Sequence, residues 1–128
     1  MKRLFSNKWN ASRRVSKRRK FRFNAALHTK QKFTSCHLSK TLREKHKRRS
    51  VNLRVGDKVK ILRGQYKGRE NKVEKVDLKK ERIYVTGIDH FKKDGAKFMI
   101  PLKVSNLMIT ELNLDDKKRK QKLEVKNA

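Results

Sequence analysis

All five glycines (Gly56, Gly64, Gly68, Gly87 and Gly95) and the only proline, Pro101, fall between residues 51 and 110 of a 128-residue chain. Turn-forming residues mark where a backbone reverses, so this stretch folds back on itself repeatedly while the flanks run in longer pieces. Apolar residues are gathered there too: 24 of the 60 positions from 51 to 110, against 15 of the 50 before them. Their spacing is that of strands. Val59 and Ile61 alternate with Lys58 and Lys60 in 58–63, Val73 and Val76 lie in 71–76, Ile83 and Val85 alternate in 82–87, and 97–102 and 106–112 supply two more runs. Five short strands divided by turn residues predict a mostly β fold, a small antiparallel barrel.

The flanks follow different physics. Residues 1–50 carry 18 Lys and Arg and one acid, Glu44; residues 51–110 carry 15 and 7, and residues 111–128 carry 6 and 4. The whole chain has a formal charge of +27. Such a surplus repels itself until a polyanion neutralises it, which points to nucleic acid, an anionic membrane or an acidic protein. The longest stretch without a charged residue is seven positions, too short for a transmembrane helix of about 20. No apolar run of the roughly 7–15 residues of a secretory signal follows the N-terminal charge, and the single Cys36 forms no internal disulfide and suits a reducing compartment. Nucleic acid is the expected partner.

These boundaries predict a basic extension over 1–50, not expected to pack a core alone, the barrel over 51–112, and a basic helix or tail over 113–128. In the extension, 11–23 is a candidate helix with little apolar face beyond Val15 and Phe21. A second candidate covers 38–47, with Ser39 as N-cap, a Thr41–Glu44 capping-box spacing, and Leu38 and Leu42 on one face. Asp115 and Asp116 suit the N-terminus of a third, followed by basic residues.

The stretch RGQYKGRENKV, residues 63–73, carries the sharpest local signal. A Walker-type phosphate loop is ruled out because Lys67 precedes Gly68, neither Ser nor Thr follows, and another strand pattern comes next. A tight loop fits better. Gly64 and Gly68 accept positive φ without Cβ strain, Asn71 tolerates it best among other residues, and Gln65, Tyr66, Lys67 and Arg69 crown the loop with donors.

Residues 55–89 resemble the KOW motif, a strand-loop-strand unit of SH3-like barrels in ribosomal proteins and transcription elongation factors. The matching elements are Val55-Gly56-Asp57, Gly64 with Lys67-Gly68, Lys72-Val73, and Val85 with Gly87-Ile88-Asp89; Asn71 stands where the motif usually has glycine. The flanks extend the likeness through Arg13-Arg14, Phe23-Asn24-Ala25, Leu38-Ser39-Lys40, Leu42-Arg43, Arg49-Ser50 and 104–124. Nearly the whole chain is thus similar to the KOW protein of the large ribosomal subunit in its eukaryotic and archaeal type, numbered twenty-four in bacteria and twenty-six in eukaryotes. Lys103-Val104 stand where that family often has His-Pro.

The resemblance implies a structural role: binding large-subunit ribosomal RNA beside neighbouring large-subunit proteins, near the RNA's 5′ domain and the peptide tunnel exit, early in assembly. It further implies a cytoplasmic ribosomal location, with nuclear or nucleolar assembly in a eukaryote, and no cofactor, metal, membrane or small-molecule substrate. The residues support RNA independently. Arg13, Arg14, Lys17, Arg18, Arg19, Lys20 and Arg22 place seven cations in ten positions, and Arg43, Lys47, Arg48 and Arg49 form, with Lys45, a second cluster. Lys30, Lys40, Arg63, Gln65, Tyr66, Lys67, Arg69 and Lys103 complete the expected RNA-binding set, with Gly64, Gly68, Asn71 and Gly87 as turn formers.

Phosphate contacts orient a protein without reading bases, and aromatics make up only 7% of the chain, so recognition of RNA shape is expected. Trp9, Phe21, Phe23 and Phe33 are read as packing anchors sooner than base-stacking platforms. His28, Cys36, His37 and His46 match no zinc spacing, and the acids Glu70, Glu74, Asp77 and Glu81 read as solvated partners of nearby lysines. The alternatives are a KOW-domain transcription or RNA-processing factor, which usually carries a second domain or repeats, and a basic ribonuclease, which needs an acid–base pair.

Overall fold

A computed structural model describes residues 5, 6, 8, 9 and 12–124. The first residues of the expected extension and the last of the C-terminal segment lie outside the described residues. In chain order the elements are α1 (Val15–Asn24), α2 (Leu27–Phe33), β1 (Ser35–Leu38), α3 (Lys40–His46), β2 (Ser50–Asn52), β3 (Lys58–Ile61), β4 (Glu70–Asp77), β5 (Arg82–Val85), β6 (Asp89–Phe91), β7 (Lys97–Met99), β8 (Leu102–Lys103), a 3-10 turn (Val104–Asn106), β9 (Leu107–Glu111) and α4 (Lys117–Glu124).

The alternation read in the middle of the sequence becomes the core. Val59 and Ile61 of β3, Val73 of β4, Ile83 and Val85 of β5, and Leu107 and Ile109 of β9 are all buried, with Ile88 beside them. Burial of each such side chain contributes roughly 1.5–3 kcal/mol. β3 pairs antiparallel with β4 and with β9, β4 with β5, and β5 with β8. A register shift between Val73 and Lys75 bends the eight-residue β4, so one strand serves both neighbours.

Two expectations about the sheet are corrected. It does not close into a barrel: seven strands run in the order β2-β1-β9-β3-β4-β5-β8, and no pairing among the described residues joins its ends. Nor is it wholly antiparallel. β1 lies parallel to β9, pairing His37 with Met108 and Leu38 with Ile109, and antiparallel to β2. Cys36 and Leu38 therefore enter the same core as the middle strands, and Leu53 joins them just after β2. The chain is a sheet-rich small domain with helices at its ends.

The run 97–102 is two strands. Pro101 has no N–H for a ladder, and it separates β7, which pairs only with β6, from β8, which pairs with β5. The 38–47 helix begins later than expected because Leu38 belongs to β1. Ser39 does sit at the N-cap of α3, but its hydroxyl meets that of Thr41 at 3.1 Å and no side-chain cap bond forms. The capping box is thus absent, while Leu42 packs on the core from α3. At the other end Asp116 behaves as read, its Oδ1 accepting the Lys118 N–H at 2.9 Å before α4.

α4 is locked down by a buried ion pair. Asp57 is fully buried and Arg119 is 6% exposed. The Arg119 guanidinium donates to both carboxylate oxygens of Asp57, at 2.6 and 2.8 Å, and to the carbonyls of Asn113 and Asn52, at 2.7 and 3.1 Å. Asp57 also accepts the backbone N–H groups of Arg54 and Asn113, at 2.8 and 2.9 Å. One carboxylate therefore joins the entry to β3, the end of β2 and the start of α4.

Candidate nucleic-acid interface

α1 has no buried residue and no acid in its first turn. Arg13 and Arg14 precede it, and Lys17, Arg18, Arg19 and Lys20 project from it exposed, with no carboxylate among the described residues paired to any of the six. Arg22 differs. It lies 3.6 Å from Glu81 and its guanidinium stands 5.5 Å over the Phe33 ring, which ties α1 to the loop before β5. Phe21 anchors the same helix from its other flank by stacking on Phe5 and Trp9, at centroid distances of 5.0 and 4.4 Å, and meeting Phe33 edge-on at 6.1 Å. The packing reading thus fits Trp9, Phe21 and Phe33, whereas Phe23 is 82% exposed.

In the second cluster Lys40, Lys47 and Arg49 are exposed. Arg43 spends its Nε–H on the Leu38 carbonyl at 2.8 Å, and Arg48 donates to the Lys122 carbonyl at 2.5 Å. Lys30 likewise donates to the Phe23 carbonyl at 3.2 Å. Lys103 is exposed on β8 opposite Arg82, so two cations sit side by side at that sheet edge.

Between β3 and β4 the glycine-bearing loop is a tight reversal. Gly64 and Gly68 have φ of +96° and +88°, and the Gly68 N–H closes the loop onto the Ile61 carbonyl at 2.8 Å. Arg63, Gln65, Lys67 and Arg69 stand exposed on it. Tyr66 packs partly buried against the core with the Arg69 guanidinium 5.2 Å above its ring, so its apolar face is already covered. Asn71 is corrected: it lies in β4 opposite Val59 and has no positive φ. Its side chain acts instead, donating to the Thr86 carbonyl at 2.7 Å beside Gly87, whose φ is +75° and where an added Cβ would stand 3.2 Å from that amide nitrogen.

Of the side chains His28, Cys36, His37 and His46 weighed for zinc, Cys36 is buried with its thiol donating to the Leu107 carbonyl at 3.0 Å, and burial pushes its pKa up to about 12. Burial chiefly, then Arg43, lowers the pKa of His37. His46 is lowered by burial, then by Lys45 and Arg48, with Glu124 opposing. Among the described residues no three His, Cys, Asp or Glu side chains gather. The strand acids are mostly engaged: Glu70 pairs with Lys60 at 2.9 Å, Glu81 with Arg22, and Asp77 accepts the N–H groups of Lys79 and Lys80, which together with nearby lysine charge lower its pKa. Sequence reasoning missed Asp57 and Arg119, which position α4. The sequence marks Asp57 only as part of the Val55-Gly56-Asp57 element, and its pairing with Arg119, 62 positions away, has no local signature.

These features define a small sheet-rich protein whose surface is dominated by cations that its own carboxylates leave unneutralised; no helix among the described residues is long and apolar enough to cross a membrane. The chain belongs to the family described as the eukaryotic ribosomal proteins L26 and their archaeal L24 counterparts, whose model matches residues 12–126. It is 46% identical over 112 residues to the large ribosomal subunit protein uL24 of Methanosphaera stadtmanae, covering 88% of this chain and 96% of that protein. The uL24 of Methanothrix thermoacetophila is 44% identical over 110 residues, 86% and 95% of the two chains, and that of Korarchaeum cryptofilum 43% over 117 residues, 91% and 89%. The family's role is structural and not enzymatic.

Proposed function

We propose that this protein is a structural constituent of the large ribosomal subunit that binds and stabilises large-subunit ribosomal RNA beside neighbouring large-subunit proteins. The observation that carries this is the family match from residue 12 to 126, which spans both the strands and the basic flanks. Six exposed cations at 13–20, none paired to a carboxylate among the described residues, supply the chemistry: each phosphate they neutralise releases counterions, with an affinity slope of about 0.7–0.9 per contact on a log–log salt plot. Lys40, Lys47, Arg49, Arg63, Gln65, Lys67 and Lys103 extend the interface, and Arg22, Lys30, Arg43, Arg48, Tyr66 and Arg69 act at its edge, since each also has an internal partner. The order β9-β3-β4-β5-β8, with a 3-10 turn between β8 and β9, supports an SH3-like unit with the KOW loop between β3 and β4.

Early entry into assembly and a place near the 5′ domain of the RNA and the tunnel exit belong to the same reading, as do a cytoplasmic ribosomal location and, in a eukaryote, nucleolar assembly. Sedimentation of a cell lysate tests it. The protein is expected with the large subunit, to withstand moderate salt, and to be released by ribonuclease. Sedimentation at the top of the gradient, or with RNA polymerase, overturns the proposal.

A further inference from the structure

Between the segment entering β2 and the face of α4 lies a concave cleft of about 330 Å³, walled by Arg48, Ser50, Asn52 and Arg54 on one side and Lys118 and Lys122 on the other. Arg54, Lys118 and Lys122 are not among the RNA-binding residues expected from the sequence. The two walls are fixed relative to each other because Arg119, on the same helix, is clamped to Asp57 and to the Asn52 carbonyl. Leu123 is buried beneath them, so α4 does not rotate freely.

The cleft's donors outnumber its acceptors. Arg54 is partly neutralised by Asp116. Lys118 and Lys122 are exposed and have no carboxylate paired to them among the described residues. Arg48 spends one terminal nitrogen on the Lys122 carbonyl, and its Nε is buried with no hydrogen-bond partner. A buried donor on a charged group is normally satisfied. A tetrahedral anion is the ligand whose several oxygens serve a guanidinium, two ammonium groups and a hydroxyl at once.

We propose that this cleft seats a backbone phosphodiester of RNA, held by Arg48, Lys118 and Lys122 with the Ser50 hydroxyl beside them, so that α4 forms a second RNA-binding wall apart from α1. The inference rests on the reading that the chain binds large-subunit ribosomal RNA. A phosphate of a chain is favoured over a free ion because Lys47 and Arg49, exposed and adjacent in sequence to Arg48 and Ser50, supply cations for neighbouring phosphates of the same backbone.

The test measures binding of the full chain to large-subunit ribosomal RNA across a salt series. Compared with wild type are a cleft triple variant (Arg48→Gln, Lys118→Gln, Lys122→Gln) and a control triple that removes equal charge from exposed sites elsewhere (Lys75→Gln, Lys79→Gln, Lys93→Gln). At about 0.7–0.9 for the one phosphate seated there, the cleft triple lowers the log–log slope by about 0.7–0.9, which is about 5–8-fold in affinity at 0.1 M monovalent salt when the intercept at 1 M is unchanged. The control triple changes the slope by less than half as much. If Arg48→Gln unfolds the protein, the Lys118→Gln/Lys122→Gln pair, which strips both ammonium groups from the same phosphate, still lowers the slope by more than the control triple does.

Equal losses from the cleft and control triples overturn the cleft proposal alone. Absence of any preferential binding by the wild type overturns the ribosomal RNA reading itself. A parallel titration with inorganic phosphate at constant ionic strength separates the two sources of phosphate. Amide shifts at Ser50 and Lys118 caused by inorganic phosphate but not by RNA show a free-anion site and also overturn the proposal.

Discussion

Removing the Arg119 guanidinium, as in Arg119→Met, tests how the C-terminal helix is held. The substitution keeps most of the buried aliphatic volume and deletes the charge together with the hydrogen bonds to Asp57, Asn113 and Asn52. Asp57, fully buried, then loses two hydrogen bonds of 2.6 and 2.8 Å and its counter-charge, while keeping the N–H groups of Arg54 and Asn113. Breaking one side of a buried pair costs about 3–5 kcal/mol; the two surviving N–H donors place this variant near the lower end, at about 3 kcal/mol. Asp57→Ala costs more, about 4–5 kcal/mol, because it orphans those two backbone donors and also leaves the guanidinium buried without its counter-charge, held only by the Asn113 and Asn52 carbonyls.

At about 4 °C per kcal/mol for a chain of this size, the midpoints of thermal unfolding fall by about 12 °C for Arg119→Met and about 16–20 °C for Asp57→Ala. The double variant Asp57→Leu/Arg119→Met removes both charges and recovers part of the loss, since no charge is left buried alone, while the Arg54 and Asn113 N–H groups stay without their acceptor. The assay is thermal or urea unfolding followed by circular dichroism. The reasoning is refuted if Arg119→Met shifts the midpoint by less than about 3 °C, a quarter of the expected fall, or if the double variant is less stable than both singles.

Three further expectations are open to direct measurement. Replacing Gly68, at φ +88° with open space around it, by Val costs about 1–2 kcal/mol in backbone strain alone and weakens RNA affinity through the distorted loop; unfolding and filter binding at unchanged values contradict this. For His46 and His37 the folded pKa lies below the unfolded value of 6.5, so their contribution is fully present above pH 6.5 and is lost as pH falls through the folded values. Unfolding midpoints therefore drop as the pH falls below about 6.5, and His46→Gln flattens the profile; an unchanged slope counts against it. Cys36, 1% exposed with its thiol pushed up to about 12, reacts with a thiol reagent only at the rate of unfolding, and rapid labelling at neutral pH without denaturant contradicts its burial.

The middle strands were legible because alternation and punctuation agree there: Val59 and Ile61, Ile83 and Val85, and Leu107 and Ile109 all alternate within runs bounded by turn residues. β1 was hidden because Ser35–Leu38 is short, contains one cysteine and one histidine, and sits against a helix-like pattern that takes in Leu38. Its parallel pairing with β9, some 70 positions away, has no local signature. β6 escaped because Asp89–Phe91 leaves His90 and Phe91 exposed, so the strand has no apolar alternation to read.

The charge clusters at 13–22 and 43–49 were legible as composition. Which members are free was not: Arg22, Lys30, Arg43 and Arg48 are occupied by Glu81 and by backbone carbonyls that only folding brings near. At Asn71 residue type alone suggests a left-handed backbone, whereas the strand ladder holds its φ and the side-chain amide braces the turn at Gly87. Arg119 reads as one more cation in a basic tail, and its burial depends on Asp57 and on the Asn52 and Asn113 carbonyls, which only folding brings to it.

Ultraviolet crosslinking of purified large subunits, followed by mass spectrometry of the peptides of this protein that carry nucleotides, tests the central claim most directly. Nucleotides of large-subunit RNA are expected on peptides spanning 13–20 and 63–69. Crosslinks that avoid both segments while other proteins of the same subunits are labelled, or that carry small-subunit RNA, contradict the account.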